Sequence, residues 1–223
     1  QKEKVIKQKE ITEDQYVAWD KWLLDLVSIG TVADCHSLLG ENRILVGLGL
    51  KVMAKTKWPG LRLLLDQVGV DRREKCPNKY TIGFTLAPRI NAAGRLEHAG
   101  QAVEVLVAEK PEDAQLAAEK LESINKRRQE ITERVVSEAR EQALLLGDRQ
   151  ILLLHHPEWP KGVVGLVAGK IAEEFQKPTF VLEAGEEFAT GSARTIGNFD
   201  VVECLKSARD LLEKFGGHKQ AAG

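Results

Sequence analysis

PEDAQLAAEKLESINKRRQEITERVVSEAREQALLL, residues 111–146, is the stretch that decides the architecture of this chain. It contains no glycine and, after Pro111, no proline, and it is rich in Ala, Glu, Leu, Lys and Arg, which favour helix. We therefore predict one continuous helix, on the order of 50 Å long at about 1.5 Å per residue. Since a helix this polar usually bridges two domains instead of lying in one core, we expect a domain on each side.

The segments on the two sides of this helix have different patterns. Before it, Thr12-Glu13-Asp14-Gln15 fits a capping box that opens an amphipathic helix reaching Gly30. A short extended exit at 31–34 follows, with helices at about 42–54 and 61–68 and a break at 58–60. After it, short apolar runs alternate with helical patterns, which indicates an α/β fold. The predicted strands are 151–154, 178–182 and 188–195, and the predicted helices are 163–175 and 200–214.

Composition is that of an ordinary water-soluble protein, and it excludes a membrane-spanning chain because no apolar run is long enough. Three cysteines without metal-ligand spacing indicate reduced thiols and a cytoplasmic location. The net charge of −1 hides an asymmetry. Residues 43–95 hold eleven basic and three acidic side chains, whereas residues 97–141 hold eleven acidic and seven basic ones. The first of these segments can therefore present a positive surface to phosphate groups.

Two segments near the end of the chain have the residue types of an anion site. Ser192 and Arg194 lie two apart on a predicted strand, so they share a face, and a hydroxyl beside a guanidinium can hold a phosphate or carboxylate. Gly216, Gly217 and His218 form a turn whose backbone can approach an anion closely. The alternatives are exposed polar positions on an edge strand, and a glycine that only ends the preceding helix.

A third cluster is Pro88-Arg89-Ile90-Asn91-Ala92-Ala93-Gly94-Arg95-Leu96. Arg89, Asn91 and Arg95 stand among small residues that let a nucleic-acid backbone come close, and in a helix Asn91 and Arg95 would be one turn apart. The alternative is a tight turn with solvated arginines.

Two further positions are open to more than one interpretation. Asp34 is placed like a ligand for a hard metal ion, or like a helix cap. His155 and His156 are predicted loop residues, and Trp159 packs or stacks on a base. Gly162-Val163-Val164-Gly165 opens a helix whose N-terminus can receive an anion.

Five segments in this order resemble the RecJ single-stranded-DNA exonucleases of the DHH phosphoesterase superfamily. They cover nearly the whole chain beyond residue 20 and are Gly30–Asp34 with Leu38–Arg43, Leu86–Leu96, Gly162–Ala168, Gly191–Arg194 and Gly216–Gly223. The resemblance implies a mixed α/β protein in which residues 1–110 are the C-terminal part of the catalytic DHH domain. Residues 111–146 are then the connector helix, and residues 147–223 the DHH-associated substrate-binding domain with a mixed sheet.

The function implied by the resemblance is 5′→3′ hydrolysis of single-stranded DNA to 5′-mononucleotides with two Mn²⁺ or Mg²⁺ ions, in repair and recombination. Asp34 matches the last metal-binding aspartate of the family. Arg89, Asn91 and Arg95 match its nucleic-acid motif, Ser192 and Arg194 its terminal-phosphate pocket, and Gly216, Gly217 and His218 its phosphate loop. The implied partners are single-stranded DNA, single-strand-binding protein and a helicase, with no membrane.

The chain departs from the family at several points. The other metal ligands have no counterpart, so we expect them before Gln1 and expect this fragment alone to be inactive. Pro160 stands where relatives often have histidine, and the oligonucleotide-binding barrel is absent. Two alternatives stay open: a DHH phosphodiesterase for cyclic dinucleotides or short oligonucleotides, and a non-catalytic nucleic-acid-binding module.

Overall fold

The computed structural model describes residues 20–70 and 77–223. The chain divides into two compact units. The helical unit runs to Ala93 and resumes over His98–Asn125, and the sheet unit comprises Gly94–Glu97 and Lys126–Gly223. Within the described residues, none of the helices has the length and apolarity needed to cross a lipid bilayer.

The helical unit is built from short helices around an apolar core. The helices are α1 (Leu24–Ala33), α2 (Gly40–Met53), α3 (Pro59–Gln67), a π-helix (Thr81–Leu86), α4 (Ala87–Leu96) and α5 (Gly100–Val107), and α6 (Pro111–Leu145) begins here. Each helix contributes apolar residues to this core, which stabilises helices too short to persist alone. The core residues include Ile29, Met53, Leu61, Leu64, Leu65, Ile82, Leu86, Val105 and Leu121.

Two predictions for the helical unit are wrong. Residues 31–34 are not an extended exit: α1 continues to Ala33, the Asp34 amide donates to the Gly30 carbonyl at 3.1 Å, and the Thr31 hydroxyl donates to Val27 at 2.8 Å. The β-branched side chains are accommodated because the helix is held by its packing. Pro59 lies in the first turn of α3, where its missing N–H costs nothing, so residues 58–60 are a helix start. The predicted capping box at 12–15 lies outside the described residues.

The long helix predicted at 111–146 is observed as α6, Pro111–Leu145. Its residues up to Asn125 belong to the helical unit, and those from Lys126 belong to the sheet unit. In the sheet unit, Val135, Val136, Ala139 and Ala143 of α6 are buried in the core. The helix is therefore polar overall while still supplying an apolar stripe to this core.

The sheet unit contains a five-stranded mixed sheet in the order β1-β2-β3-β5-β4, as the mixed α/β prediction requires. Its strands are β1 (Leu152–His156), β2 (Thr179–Ala184), β3 (Ala189–Arg194), β4 (Gly217–His218) and β5 (Ala221–Ala222). β1 and β2 are parallel, as expected for strands joined by a crossover helix, here α7 (Lys161–Phe175). The other pairs are antiparallel.

One face of the sheet is buried against helix. Leu152 and Leu154 of β1, Val181 of β2 and the apolar side of α7 form the core of the unit. On α6, the Gln142 side chain reaches the backbone of β1, accepting from the His155 amide at 3.2 Å and donating to the His155 carbonyl at 3.1 Å. His155 and His156 are thus strand residues, and their prediction as loop is wrong.

The predicted helix at 200–214 is shorter than expected. α8 spans Val201–Ser207, with the Asp200 carboxylate accepting from the amides of Val202 and Glu203, and a 3₁₀ turn follows at Arg209–Leu211. The chain then forms the β4–β5 hairpin, in which Gly216 and Gly223 exchange two backbone hydrogen bonds of 2.9 Å each. Glycines 216 and 217 therefore belong to a strand pair instead of ending a helix.

Candidate anion-binding site

The predicted Ser192–Arg194 pair lies on one face of β3. In the register of β2 and β3, Ser192 is opposite Val181 and Arg194 is opposite Thr179. Paired residues of antiparallel strands share a face, and both partners are completely buried. Since Val181 belongs to the core that includes α7, Ser192 and Arg194 face this helix.

Two glycines in the first half of α7 make room for the polar side chains. A Cβ on Gly165 would lie 3.2 Å from Arg194 Nη2 and 3.3 Å from Ser192 Oγ, so both polar groups converge over the bare backbone of Gly165. A Cβ on Gly162 would collide with the backbone carbonyl of Arg95. The two glycines thus let the arginine-bearing segments approach the beginning of the helix, where amide groups and the helix dipole favour anions.

Arg95 and Arg194 are close enough to influence each other and are each half-buried. Arg95 Nη1 donates to the Gly162 carbonyl at 3.1 Å, and Arg194 Nη1 donates to the Ala193 carbonyl at 2.8 Å. Burial lowers the pKa of both guanidiniums, and the charge of Arg194 lowers the pKa of Arg95 further. Neither has a carboxylate within ion-pair distance in the described residues; nearby Lys161 is the cation that pairs with Glu183, at 3.4 Å.

The terminal hairpin brings His218 to the same face of the sheet. Ala221 of β5 is opposite both Arg194 of β3 and His218 of β4, so the three side chains lie in one row across the sheet. His218 is exposed. Gly217 has φ of 148°, which few other residues adopt, and a Cβ there would collide with Ala221 and Ala222. The glycine is therefore needed for the close pairing that puts His218 in this row.

The structure separates the three residues predicted as the nucleic-acid motif. Arg89, Asn91 and Arg95 lie on α4, so the segment is helical and not a tight turn, but Arg89 and Asn91 belong to the helical unit and Arg95 to the sheet unit. Arg89 Nε donates to Glu122 at 2.8 Å and Nη1 donates to the Thr85 carbonyl at 2.9 Å, so its guanidinium is engaged within the helical unit. Asn91 is exposed and lines a cleft of about 500 Å³ that Asp34 also lines.

Asp34 follows the last residue of α1 and is exposed. Its carboxylate lies 3.1 Å from His36 Nε2. A divalent ion needs several oxygen or nitrogen ligands, and residues 20–70 and 77–223 contain no group of three acidic, histidine or cysteine side chains placed to hold one. The described residues therefore do not fit a metal site by themselves, and Asp34 can supply at most one ligand.

Trp159 has a packing role. Its side chain is completely buried, and Nε1 donates to Glu138 on α6 at 2.7 Å, so of the two alternatives for this residue the structure shows packing and not base stacking. Sequence reasoning missed the individual contribution of Gly165, which makes space for two site side chains. The signal was the spacing of Gly162 and Gly165, because residues three apart share a helix face.

Comparisons with known proteins match both units. Residues 148–223 match the DHHA1 domain model. The single-stranded-DNA-specific exonuclease RecJ of Bacillus subtilis strain 168 is 42% identical over 204 residues, covering 90% of this chain and 26% of that protein. RecJ of Escherichia coli K12 is 36% identical over 90% of this chain and 36% of that protein. The chain thus spans about a quarter to a third of the length of the curated relatives it matches.

A crystal structure of RecJ from Thermus thermophilus in complex with Mg²⁺ superimposes with a TM-score of 0.82 at 36% identity, covering 91% of this chain and 31% of that one. The same protein in complex with Mn²⁺ also gives a TM-score of 0.82, at 37% identity over 91% of this chain and 30% of that one. Residues 148–223 are therefore similar to DHHA1 domains, and the chain is similar in sequence and fold to a segment of the RecJ exonucleases.

Proposed function

We propose that this chain is part of a divalent-metal-dependent exonuclease that hydrolyses single-stranded DNA from the 5′ end to 5′-mononucleotides, in repair and recombination in the cytoplasm. Within it, Arg95, Ser192 and Arg194 bind the terminal phosphate. The observation that carries this proposal is the pair of half-buried guanidiniums without a carboxylate partner among the described residues, beside a hydroxyl and the beginning of α7.

The electrostatics of this arrangement favour an anion. Burial removes part of the hydration of both guanidiniums and lowers the pKa of each, and repulsion by Arg194 lowers the pKa of Arg95 further. A phosphate between them would replace repulsion by attraction and accept several charge-assisted hydrogen bonds. The hydroxyl of Ser192 and the first turn of α7 add uncharged donors to the same space.

The remaining predicted contacts have supporting roles in this proposal. Gly216, Gly217 and His218 approach the phosphate from β4, which is supported by the row that His218 forms with Ala221 and Arg194. Asn91, which is exposed on the helical unit, contacts the single-stranded DNA. Arg89 stays a predicted DNA contact, although its guanidinium already binds Glu122. Single-strand-binding protein and a helicase stay partners by resemblance only.

For the metal ions we propose only that Asp34 supplies one ligand. Mn²⁺ or Mg²⁺ in such an enzyme activates water and stabilises the leaving oxygen. The described residues do not complete a metal site, so the other ligands would have to come from elsewhere in the protein. Substituting Asp34 by Ala in a protein of the relatives' full length tests this role, which fails if metal-dependent cleavage persists.

The phosphate assignment is tested by binding. We expect this chain to bind 5′-phosphorylated oligodeoxythymidylate about tenfold or more tightly than the 5′-hydroxyl strand, since hydrogen bonds to charged groups contribute roughly 1.5–3 kcal/mol. Arg194→Ala should make the two affinities equal by fluorescence anisotropy. Arg140→Ala, which removes an exposed arginine paired with Glu174, is the matched control and should keep the preference.

Other results would contradict the assignment. A phosphate preference that survives Arg194→Ala would place the phosphate elsewhere. Affinity that is independent of salt would contradict binding through phosphates altogether. Equal affinity for cyclic dinucleotides and long strands would favour the small-substrate phosphodiesterase.

A further inference from the structure

Two aromatic rings of the helical unit stack on each other at the surface. The ring centroids of Tyr80 and Phe84 lie 4.8 Å apart with 24° between their planes. The residues are 65% and 72% exposed, respectively. Leaving two large apolar rings exposed to water is unfavourable, so the pair calls for a functional explanation.

The backbone beneath the pair is fixed from both sides. Ile82 and Leu86, on the π-helix that also contains Phe84, are completely buried in the core of the helical unit. At the preceding turn, Asn78 and Thr81 exchange hydrogen bonds between backbone amides and side-chain oxygens, at 3.0 and 3.3 Å. π-Helical turns often occur at functional sites. The rings are thus held outward on a rigid support.

The surroundings of the pair favour a negatively charged ligand. Between residues 77 and 88 the sequence contains one charged side chain, the basic Lys79. Lys79, next to Tyr80, is exposed. An aromatic face beside basic groups is the combination that binds single-stranded nucleic acid, because the bases stack and the phosphates are attracted.

We propose that Tyr80 and Phe84 form a stacking platform for unpaired bases of single-stranded DNA. Each ring uses one face for its neighbour and keeps the outer face for a base. Because the rings already stack on each other, little side-chain freedom is lost when a base binds. Every base has a π-face, so this contact does not select sequence, which suits a nuclease that degrades any strand. The inference rests on the proposed function and adds a site that binds bases instead of phosphates.

The experiment compares strands with and without bases. The chain and its Phe84→Ala variant are titrated with 5′-phosphorylated oligodeoxythymidylate and with a 5′-phosphorylated abasic strand of equal length. We expect Phe84→Ala to weaken binding of the thymidylate strand about fivefold or more and to leave abasic binding unchanged. Phe188→Ala, which removes another exposed phenylalanine from the sheet unit, is the control and should change neither affinity.

Three results would overturn the stacking platform. In the first, Phe84→Ala leaves the affinity for the thymidylate strand unchanged. In the second, it weakens binding of the thymidylate and abasic strands equally. In the third, it lowers thermal stability without any base-dependent loss of affinity. The last would mean that the rings are covered by protein. If the unaltered chain binds neither strand, the proposed function fails as well, whereas phosphate-dependent binding without an effect of Phe84 removes the platform alone.

Discussion

Arg89 and Arg95 lie six residues apart on one helix, and the two units treat them in opposite ways. In the helical unit, Arg89 is balanced by Glu122 at 2.8 Å, and both side chains are mostly buried. In the sheet unit, Arg95 has Arg194 as its charged neighbour and only a carbonyl as acceptor among the described residues. The first arrangement stabilises the fold. The second arrangement costs free energy until an anion binds. An arginine that is not paired with a carboxylate is therefore a better indicator of an anion site than an arginine as such.

The largest effect on DNA binding should come from giving the arginines of the sheet unit a carboxylate partner, as Arg89 has in the helical unit. Gly165→Asp adds a carboxylate next to Arg194 Nη2 and Ser192 Oγ, and both side chains have to shift slightly because the new Cβ would lie 3.2 and 3.3 Å from these atoms. We expect an internal ion pair that removes the roughly tenfold 5′-phosphate preference. Anisotropy with phosphorylated and unphosphorylated strands measures it.

Gly169→Asp is the matched control for this change. Gly169 lies on the next turn of α7, and a Cβ there meets no heavy atom within 4 Å. It adds the same charge to the same helix without reaching the arginines. If both variants lose the preference equally, general repulsion of DNA explains the loss, and the contrast between the two arginines fails.

A smaller effect should follow from breaking the balanced pair. Arg89→Ala leaves the Glu122 carboxylate partly buried without its partner, and we expect the free energy of unfolding to fall by about 1–3 kcal/mol. Urea denaturation measures this. The 5′-phosphate preference should stay unchanged. Its loss in this variant would indicate that Arg89 binds DNA directly. Arg89→Ala combined with Glu122→Gln should recover part of the stability, since the orphaned charge is then gone.

The smallest effect concerns Asp25, a buried acid without a cation partner among the described residues of the helical unit. Its carboxylate accepts from Thr56 Oγ1 and the Leu26 amide, both at 2.7 Å, yet burial dominates and raises its pKa above the ordinary 3.8. The folded state thus holds this proton more tightly than the unfolded chain. The stability contributed by Asp25 is complete below pH 3.8 and is lost as the pH rises through the raised pKa.

Denaturation between about pH 3 and 7 tests this sign. We expect Asp25→Asn to flatten the decline of the unfolding free energy with rising pH, whereas Asp148→Asn, at an exposed position, leaves it as it is. A steeper decline in Asp25→Asn would mean that hydrogen bonding lowers the pKa of Asp25 by more than burial raises it.

Local signals in the sequence predicted much of the fold. The absence of internal Gly and Pro predicted α6 almost to the residue, and short runs between helical patterns predicted three strands of the mixed sheet. The errors arose where packing decides. Thr31 and Val32 favour extended structure but complete α1, and the helix expected to 214 stops at Ser207 before the chain enters the hairpin.

Local signals in the sequence also predicted part of the candidate site. Strand alternation placed Ser192 and Arg194 on one face, and helical spacing put Asn91 and Arg95 on one helix. The engagement of Arg89 was not predictable, since Glu122 lies 33 residues away. Nor was the hydrogen bond from the Trp159 indole to Glu138, which precedes it by 21 residues on α6.

The Gln142 side chain has a consequence beyond its two hydrogen bonds. β1 is the outermost strand on its side of the sheet, so its backbone would otherwise offer unpaired groups to any extended chain nearby. By bonding both the amide and the carbonyl of His155, one carboxamide occupies part of that open edge as a neighbouring strand would. A helix residue thereby blocks the pairing of a further extended chain at this position of the sheet edge.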